Sequence, residues 1–159
     1  MAAWNDVIHS APEFAAMVQT LFDAHRNKLL ATLRKDGSPR ISAVEVDFVG
    51  GDLWLGMMFG SRKAHDLQRD PRFALHSAST APDDDDPSKW PGDAKLSGLV
   101  VEITDPAQVK RLAPSPSGQS HLFRADIHEV VLTKVGDSAD HLVIELWRES
   151  RGLRRFKRY

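Results

Sequence analysis

The sequence predicts a mainly β protein, a small antiparallel barrel of about six to seven strands with one or two peripheral helices. The predicted strands are short, and tight turns join most of them. With 159 residues, of which 42% are apolar and 27% charged, the chain has the size and composition of one ordinary globular domain. We therefore expect a single domain over residues 1–159, with an α+β sandwich as the alternative architecture.

The first half of the chain predicts one helix and then an antiparallel meander, at residues 11–25, 29–33, 40–48 and 53–55. The helix follows from apolar residues at helical spacing, and the second strand from a rough alternation of apolar and polar residues. Turn sequences at 35–39 and 50–52 separate the strands, and both contain the Gly and Asp residues that tight hairpins prefer.

The second half predicts a helix that starts at Ser61, a good N-cap, and stops before Asp70-Pro71. A second, short helix is expected from residue 105 to about 112, and loops are expected at 80–93 and 113–119, where Pro, Ser, Gly and Asp are concentrated. The remaining strands are predicted at residues 73–75, 96–103, 126–135 and 141–147.

Several function classes are disfavoured by composition. The chain has no cysteine, so disulfides, cysteine zinc sites and thiol catalysis are excluded, and a reducing compartment is compatible. Residues 1–10 have neither the basic nor the apolar region of a signal peptide, and no apolar run approaches the length of about 20 residues that spans a bilayer. We therefore expect a cytoplasmic protein without membrane association.

Residues 60–64, Gly-Ser-Arg-Lys-Ala, combine a helix start with two cations. The first turn of a helix has free N–H groups and a partial positive charge, which makes Arg62 and Lys63 unfavourable there by a few tenths of a kcal/mol each. A bound phosphate would accept hydrogen bonds from those N–H groups, from the Ser61 hydroxyl and from both cations. The alternative is a solvated helix in which Arg62 pairs with Asp66, four residues on.

This segment also carries a family resemblance. Residues 60–65, the following Asp-Pro-Arg-Phe-Ala-Leu at 70–75 and the upstream hairpin Ala-Thr-Leu-Arg-Lys-Asp-Gly-Ser-Pro at 31–39 resemble the pyridoxamine 5′-phosphate oxidase-like family. Order and spacing agree over residues 29–76. The resemblance implies a split β-barrel of the FMN-binding type, an active homodimer and FMN in the cleft between the subunits.

The resemblance implies cofactor-binding positions around the phosphate and the flavin ring: Ser42, Val44, Met57, Ser61, Arg62 and Lys63. Among these, Arg62 and Lys63 match the residues that bind the FMN phosphate, and Met57 matches a position that lines the flavin. A close branch of the superfamily binds a deazaflavin coenzyme in the same place, which is the alternative cofactor.

Two further positions come from the C-terminal part. Glu-Leu-Trp at 145–147 resembles the family's Glu-Phe-Trp, whose Trp packs beside the flavin of the partner subunit, although Trp147 fits an ordinary core aromatic equally well. Residues 153–157 resemble only loosely the family's Arg-Leu-His-Asp-Arg, which holds the substrate phosphate. Arg154 or Arg155 is the candidate for that role.

The chain departs from the authentic oxidases on the second strand, where Ser42 and Asp47 replace an Arg and a Lys that reach the flavin. This argues against vitamin B6 activity. We therefore expect an FMN-dependent oxidoreductase of unidentified substrate, with hydride transfer at the flavin ring and no catalytic side chain. The alternatives are a deazaflavin-dependent reductase and a protein that binds flavin or haem without turnover.

Other charged and metal-ligating residues are interpreted more simply. The histidines form no close-set pair, so no metal site is predicted. The run Asp83 to Asp86 lacks the spacing of a calcium loop and predicts a solvated acidic flap. The cations in residues 148–158 predict a solvated end or part of an anion pocket, and nucleic-acid binding is disfavoured because no further basic face accompanies them.

Overall fold

The computed structural model describes residues 2–159. Its elements are α1 (Trp4–Ser10), α2 (Pro12–Asp23), β1 (Lys28–Leu33), β2 (Pro39–Val49), β3 (Asp52–Met58), α3 (Arg62–Arg69), β4 (Arg72–His76), a 3-10 turn (Pro87–Lys89), β5 (Asp93–Ile103), α4 (Pro106–Leu112), β6 (Ser120–Val135), β7 (Leu142–Arg148) and β8 (Gly152–Arg158). None of the described helices combines the length and the apolar character that crossing a bilayer requires.

The strands form one antiparallel sheet in the order β3-β2-β1-β4-β5-β6-β7-β8. Because β3 also pairs with β6, the first six strands of that order close into a barrel. β7 and β8 continue outward from β6 and lie outside the closed part. The predicted mainly β fold, a split barrel with peripheral helices, is confirmed.

The β1–β2 hairpin shows how local sequence sets the register. Gly37 adopts a φ of 83°, and the Asp36 carboxylate accepts a hydrogen bond from the Ser38 N–H, so the turn closes where the sequence predicts it. This register places Ser42 opposite Leu30 and Val44 opposite Lys28. Along β2 the even-numbered residues from Arg40 to Phe48 are at least partly buried, and the odd-numbered ones are exposed.

The barrel interior and the N-terminal helices share one hydrophobic core. Its largest fully buried side chains include Trp4, Phe22, Leu30, Leu55 and Phe123. A smaller cluster, in which Trp54 and Leu122 meet Ala113, packs α4 against β3 and β6. That second cluster fixes the loop after α4 beside the end of β3.

A close backbone approach explains one glycine in the barrel. At Gly98 the pairing of β5 with β6 shifts register by a β-bulge. A Cβ added there would lie 2.0 Å from the Asp126 carbonyl oxygen, so no side chain fits.

The structure differs from the predicted elements in three places. α1 was not predicted, and the helix predicted over 11–25 is α2. β6 starts at Ser120 and not at residue 126, and the basic C-terminal end, for which no strand was predicted, forms an eighth strand, β8. β8 is almost entirely exposed, so it has no apolar alternation; its pairing with β7 is made by backbone groups that no side-chain pattern reveals.

Candidate functional site

The segment between β3 and α3 contains a buried polar atom with no partner. Gly60 adopts a φ of 70°, a conformation that favours glycine, and Ser61 is the N-cap of α3, as predicted. The Ser61 side chain makes no capping hydrogen bond, and its Oγ is buried without a hydrogen-bond partner among residues 2–159. An unpartnered buried hydroxyl costs about 1–3 kcal/mol, so this atom marks a position that a ligand oxygen would satisfy.

Arg62 is exposed and has no hydrogen-bond or ion-pair partner within the described part of the chain. The alternative prediction, an Arg62–Asp66 pair on a solvated helix, is wrong. Asp66 is buried and accepts hydrogen bonds from Thr32 Oγ1 at 2.8 Å, Arg40 Nε at 2.6 Å and Arg69 at 3.0 Å. The guanidinium of Arg62 therefore stays available at the start of α3.

Lys63 lies across β2, where its Nζ donates a hydrogen bond of 2.5 Å to the Ala43 carbonyl oxygen. Burial lowers the pKa of the Lys63 ammonium, and the negative charge of Glu45 acts in the opposite direction. An ammonium group has three N–H donors, so one bond to Ala43 orients the group and leaves donors for an anion.

Larger cavities lie elsewhere, one of about 800 Å³ beside Phe59 and His121 and one of about 580 Å³ at β6–β8. The cavity beside Lys63, of about 510 Å³, is the one that unites predicted site residues. Val44 of β2 and Met57 of β3 line it together with Lys63, and both are buried. Ser42 lies on the same side of β2 as Val44 and is partly buried, but it does not line this cavity. The barrel therefore gathers an apolar wall and a cation at one place.

The remaining two predicted positions lie elsewhere in the chain. Trp147 is 2% exposed and packs in the hydrophobic core, where its indole N–H donates to Ser10 Oγ at 3.0 Å. Arg155 of β8 pairs with the buried carboxylate of Glu145 and lines the β6–β8 cavity. Within this chain neither joins Lys63, and the placement of Trp147 fits its interpretation as a core aromatic.

The charges around the Lys63 cavity are mixed. Glu45 and Asp47 both line it, and Arg26 forms an ion pair of 2.7 Å with Glu45. Asp47, one of the two departures noted in the sequence, therefore faces the candidate site. This places negative charge where the resemblance would have put a cation.

Sequence patterns missed two groups of residues near the site. The end of α4, the loop that follows it and the start of β6 also line the Lys63 cavity, through residues 112–116 and Ser120. Glu102 and His121 form a hydrogen-bonded pair directly behind Gly60. No local signal identifies them, because strand pairing alone brings β5, β6 and the β3–α3 turn together. No cluster of three or more potential metal ligands occurs among residues 2–159.

Comparison with known proteins places these features in a family. The family model described as pyridoxamine 5′-phosphate oxidase matches residues 14–134, which include β1 to β5, α3 and most of β6. A search of curated proteins finds no match.

Several solved structures share the fold. A pyridoxamine 5′-phosphate oxidase-related, FMN-binding protein from Nostoc punctiforme is 12% identical, with a TM-score of 0.62 over 100% of this chain and 98% of that one. The heme storage protein HutZ from Vibrio cholerae is 15% identical, with a TM-score of 0.56 over 82% and 98%. A structure named F420 reductase is 18% identical, with a TM-score of 0.52 over 70% and 94%. Similarity at these identities establishes a common architecture.

Proposed function

This chain belongs to the pyridoxamine 5′-phosphate oxidase family, and we propose that it is an FMN-binding oxidoreductase that holds the flavin phosphate at the start of α3. The observation that carries the proposal is the buried Ser61 Oγ, which lacks a partner within residues 2–159. The next two residues are Arg62, which is unpaired within residues 2–159, and Lys63, which is oriented by its hydrogen bond to Ala43. This donor set fits a phosphate dianion.

Each of these groups has a distinct role in holding the phosphate. The free N–H groups of the first turn of α3 and the Ser61 hydroxyl donate to its oxygens. Arg62 supplies a planar pair of donors, and Lys63 supplies a point charge whose direction is set by the Ala43 carbonyl. The phosphate in turn offsets the cost of two cations at a helix N-terminus.

When bound, FMN supplies hydride chemistry, and the protein supplies orientation and electrostatics. Val44 and Met57 provide an apolar wall in the cavity beside Lys63, against which the flavin ring would pack. Glu45 and Asp47 disfavour a second phosphate in that cavity by charge repulsion. We therefore propose that the substrate is not a vitamin B6 phosphate.

A deazaflavin coenzyme is the second candidate, because it also carries a phosphate, and the structure named F420 reductase shares the fold. HutZ, which has the same fold, is named a heme storage protein. Binding of a ligand without turnover is therefore the third candidate function. The visible spectrum of the purified protein, with the ligand identified by mass, distinguishes the three. Bleaching of a bound flavin by a nicotinamide donor would then separate an enzyme from a carrier.

We further propose that the protein acts as a homodimer with the cofactor at the subunit interface. Ile41, Met58 and Phe59 are 73%, 80% and 61% exposed, which is unusual for apolar residues next to a candidate site. A second copy that covers them would also close the open side of Arg62. Sedimentation velocity should give the mass of a dimer, and a monomer at micromolar concentration would contradict this part of the proposal.

The decisive test of the phosphate site is the double variant Arg62→Ala/Lys63→Ala. Loss of two charge-assisted contacts should weaken FMN binding by about 3 kcal/mol, more than about 100-fold in Kd. The measurement is a titration followed by the quenching of flavin fluorescence.

A control of equal charge is available on α4, where Lys110 and Arg111 are adjacent cations on a helix and both are exposed. Replacing both by Ala removes the same net charge and should leave FMN affinity within about twofold of the wild type. The proposal is refuted if the Arg62/Lys63 variant retains full affinity, or if both double variants lose affinity equally.

A further inference from the structure

Glu102, which is partly exposed, and the buried His121 form a hydrogen-bonded pair behind the phosphate-binding turn. Glu102 is near the end of β5 and His121 near the start of β6, and His121 Nδ1 lies 2.7 Å from Glu102 Oε1. The His121 side chain is 9% exposed, and the Phe59 ring stacks on it with centroids 5.2 Å apart and an interplanar angle of 6°. The imidazole is therefore held in one orientation.

The hydrogen bonds define which nitrogen of His121 carries the proton. The Gly60 N–H is a donor and lies 3.1 Å from His121 Nε2, so Nε2 must offer its lone pair. The proton of the neutral ring is then on Nδ1, where it is donated to the Glu102 carboxylate. The chain of bonds runs from Glu102 through His121 to the backbone of Gly60.

Glu102 also contacts α3 from the other direction. Gln68, in the last turn of α3, donates its side-chain amide to both carboxylate oxygens of Glu102, at 3.1 and 3.0 Å. His65 Nδ1 lies 3.1 Å from Oε1, the side-chain oxygen of Gln68, which is within hydrogen-bond distance. One carboxylate on β5 is thus linked through His121 to Gly60, two residues before α3, and through Gln68 to the last turn of the helix.

From these contacts we propose that Glu102 and His121 are positioning residues for the phosphate site, an inference that rests on the proposed function. His121 fixes the peptide of Gly60, and Gly60 sets the direction in which Ser61 and the first N–H groups of α3 point. Helix N-termini bind anions only when those groups converge, so a small rotation at Gly60 disperses them. His121 is not a general base, since its only lone pair is used by Gly60.

The inference predicts a loss of affinity that depends on the phosphate. His121→Phe keeps the ring and its stacking on Phe59 but removes the acceptor for Gly60. FMN binding should weaken about five- to tenfold, the size expected for one lost hydrogen bond to a positioned group. Riboflavin, which has the same ring system without the phosphate, should bind within about twofold of its wild-type Kd.

Two further variants sharpen the experiment. Glu102→Gln should weaken FMN binding in the same direction, because the neutral amide no longer fixes the proton on Nδ1. His128→Phe changes an exposed histidine on the same strand, outside this network, and should leave both Kd values unchanged. Nitrogen-15 shifts of the wild-type imidazole report the tautomer directly, and they also decide the matter if His121→Phe does not fold.

The outcomes separate this inference from the proposed function. If the wild type binds no FMN, the proposed function fails. If the wild type binds FMN but His121→Phe loses FMN and riboflavin equally, or loses neither, the positioning role is wrong. A wild-type His121 that is protonated on Nε2 would also overturn it.

Discussion

The two ends of α3 differ in whether their polar side chains have hydrogen-bond partners. Toward the C-terminal end, the buried carboxylate of Asp66 is saturated by Thr32, Arg40 and Arg69. At the N-terminal end, Ser61 Oγ is buried without a partner and Arg62 is unpaired, as judged over residues 2–159. A fold retains saturated groups for its own stability, whereas an unsaturated buried group lowers stability unless a ligand completes it. The difference therefore separates a structural contact from a candidate binding site on one short helix.

The pKa of Asp66 shows how strong the structural contact is. Burial raises the pKa of this carboxyl group, but hydrogen bonds from Arg40, Arg69 and Thr32 together outweigh burial and bring it below the ordinary 3.8. The charged form is therefore the one that the folded state prefers.

The largest expected effect is on stability, from Asp66→Ala. Removing the carboxylate leaves Arg40, whose side chain is 20% exposed, without its partner, and should lower the free energy of unfolding by about 3 kcal/mol. Urea unfolding followed by tryptophan fluorescence measures this. Arg62→Ala, on the same helix, should change stability by less than about 0.5 kcal/mol. Equal losses in the two variants would contradict the division of α3 into a saturated and an unsaturated end.

The contribution of the Asp66 contact to stability should also depend on pH, with a smaller change in the free energy of unfolding than Asp66→Ala causes. Because the pKa of Asp66 is lower in the folded state, its contribution to stability is complete above the unfolded value of 3.8 and is lost as the pH falls through the folded pKa. The difference in stability between the wild type and Asp66→Asn should therefore be constant near neutral pH and should narrow below about pH 4. A difference that widens with acid would show that the carboxylate is not stabilised by its neighbours.

The smallest expected effect distinguishes two N-caps. Without ligand, Ser61→Ala should raise the free energy of unfolding by about 1 kcal/mol, because it removes a buried hydroxyl that makes no capping bond and has no partner within residues 2–159, but it should weaken FMN binding by about 1 kcal/mol. Asp105, whose carboxylate accepts a hydrogen bond of 2.9 Å from the Gln108 N–H, is the comparison: Asp105→Ala should lose about 1 kcal/mol of stability and no FMN affinity. If Ser61→Ala instead lost stability like Asp105→Ala, Ser61 would be an ordinary cap.

Much of the fold follows from signals within a few residues. The Asp36-Gly37 turn, the start of α3 at Ser61 and the irregular loop before β5 all appear where the sequence predicts them. Strand β8 does not follow from such signals, since all of residues 153–158 are exposed, with the apolar Leu153 and Phe156 among them. Its pairing with β7 depends on backbone hydrogen bonds, which are independent of side-chain pattern.

The residues of the candidate site, like the elements of the fold, were predicted only in part. Met57, Val44 and Lys63 were identified from resemblance, and the barrel does bring them to one cavity. Trp147 and Arg155 were identified in the same way, yet they lie away from that cavity within this chain. Trp147 is buried as a core aromatic. A role for Arg155 at the Lys63 cavity, where the resemblance suggested that it holds a substrate phosphate, would require a second copy, which the sequence of one chain does not position.

The sequence by itself determined the turns, the strand periodicity and the segment Gly60 to Ala64, because each depends on neighbours a few residues away. Tertiary structure alone decided how the charges on α3 are used. Asp66 and Arg62 have the spacing of a helical ion pair, but burial of Asp66 against β1 and β2 gives it better donors and leaves Arg62 unpaired. The same is true of Glu102 and His121, which meet Gly60 only because β5, β6 and β3 are adjacent in the closed barrel.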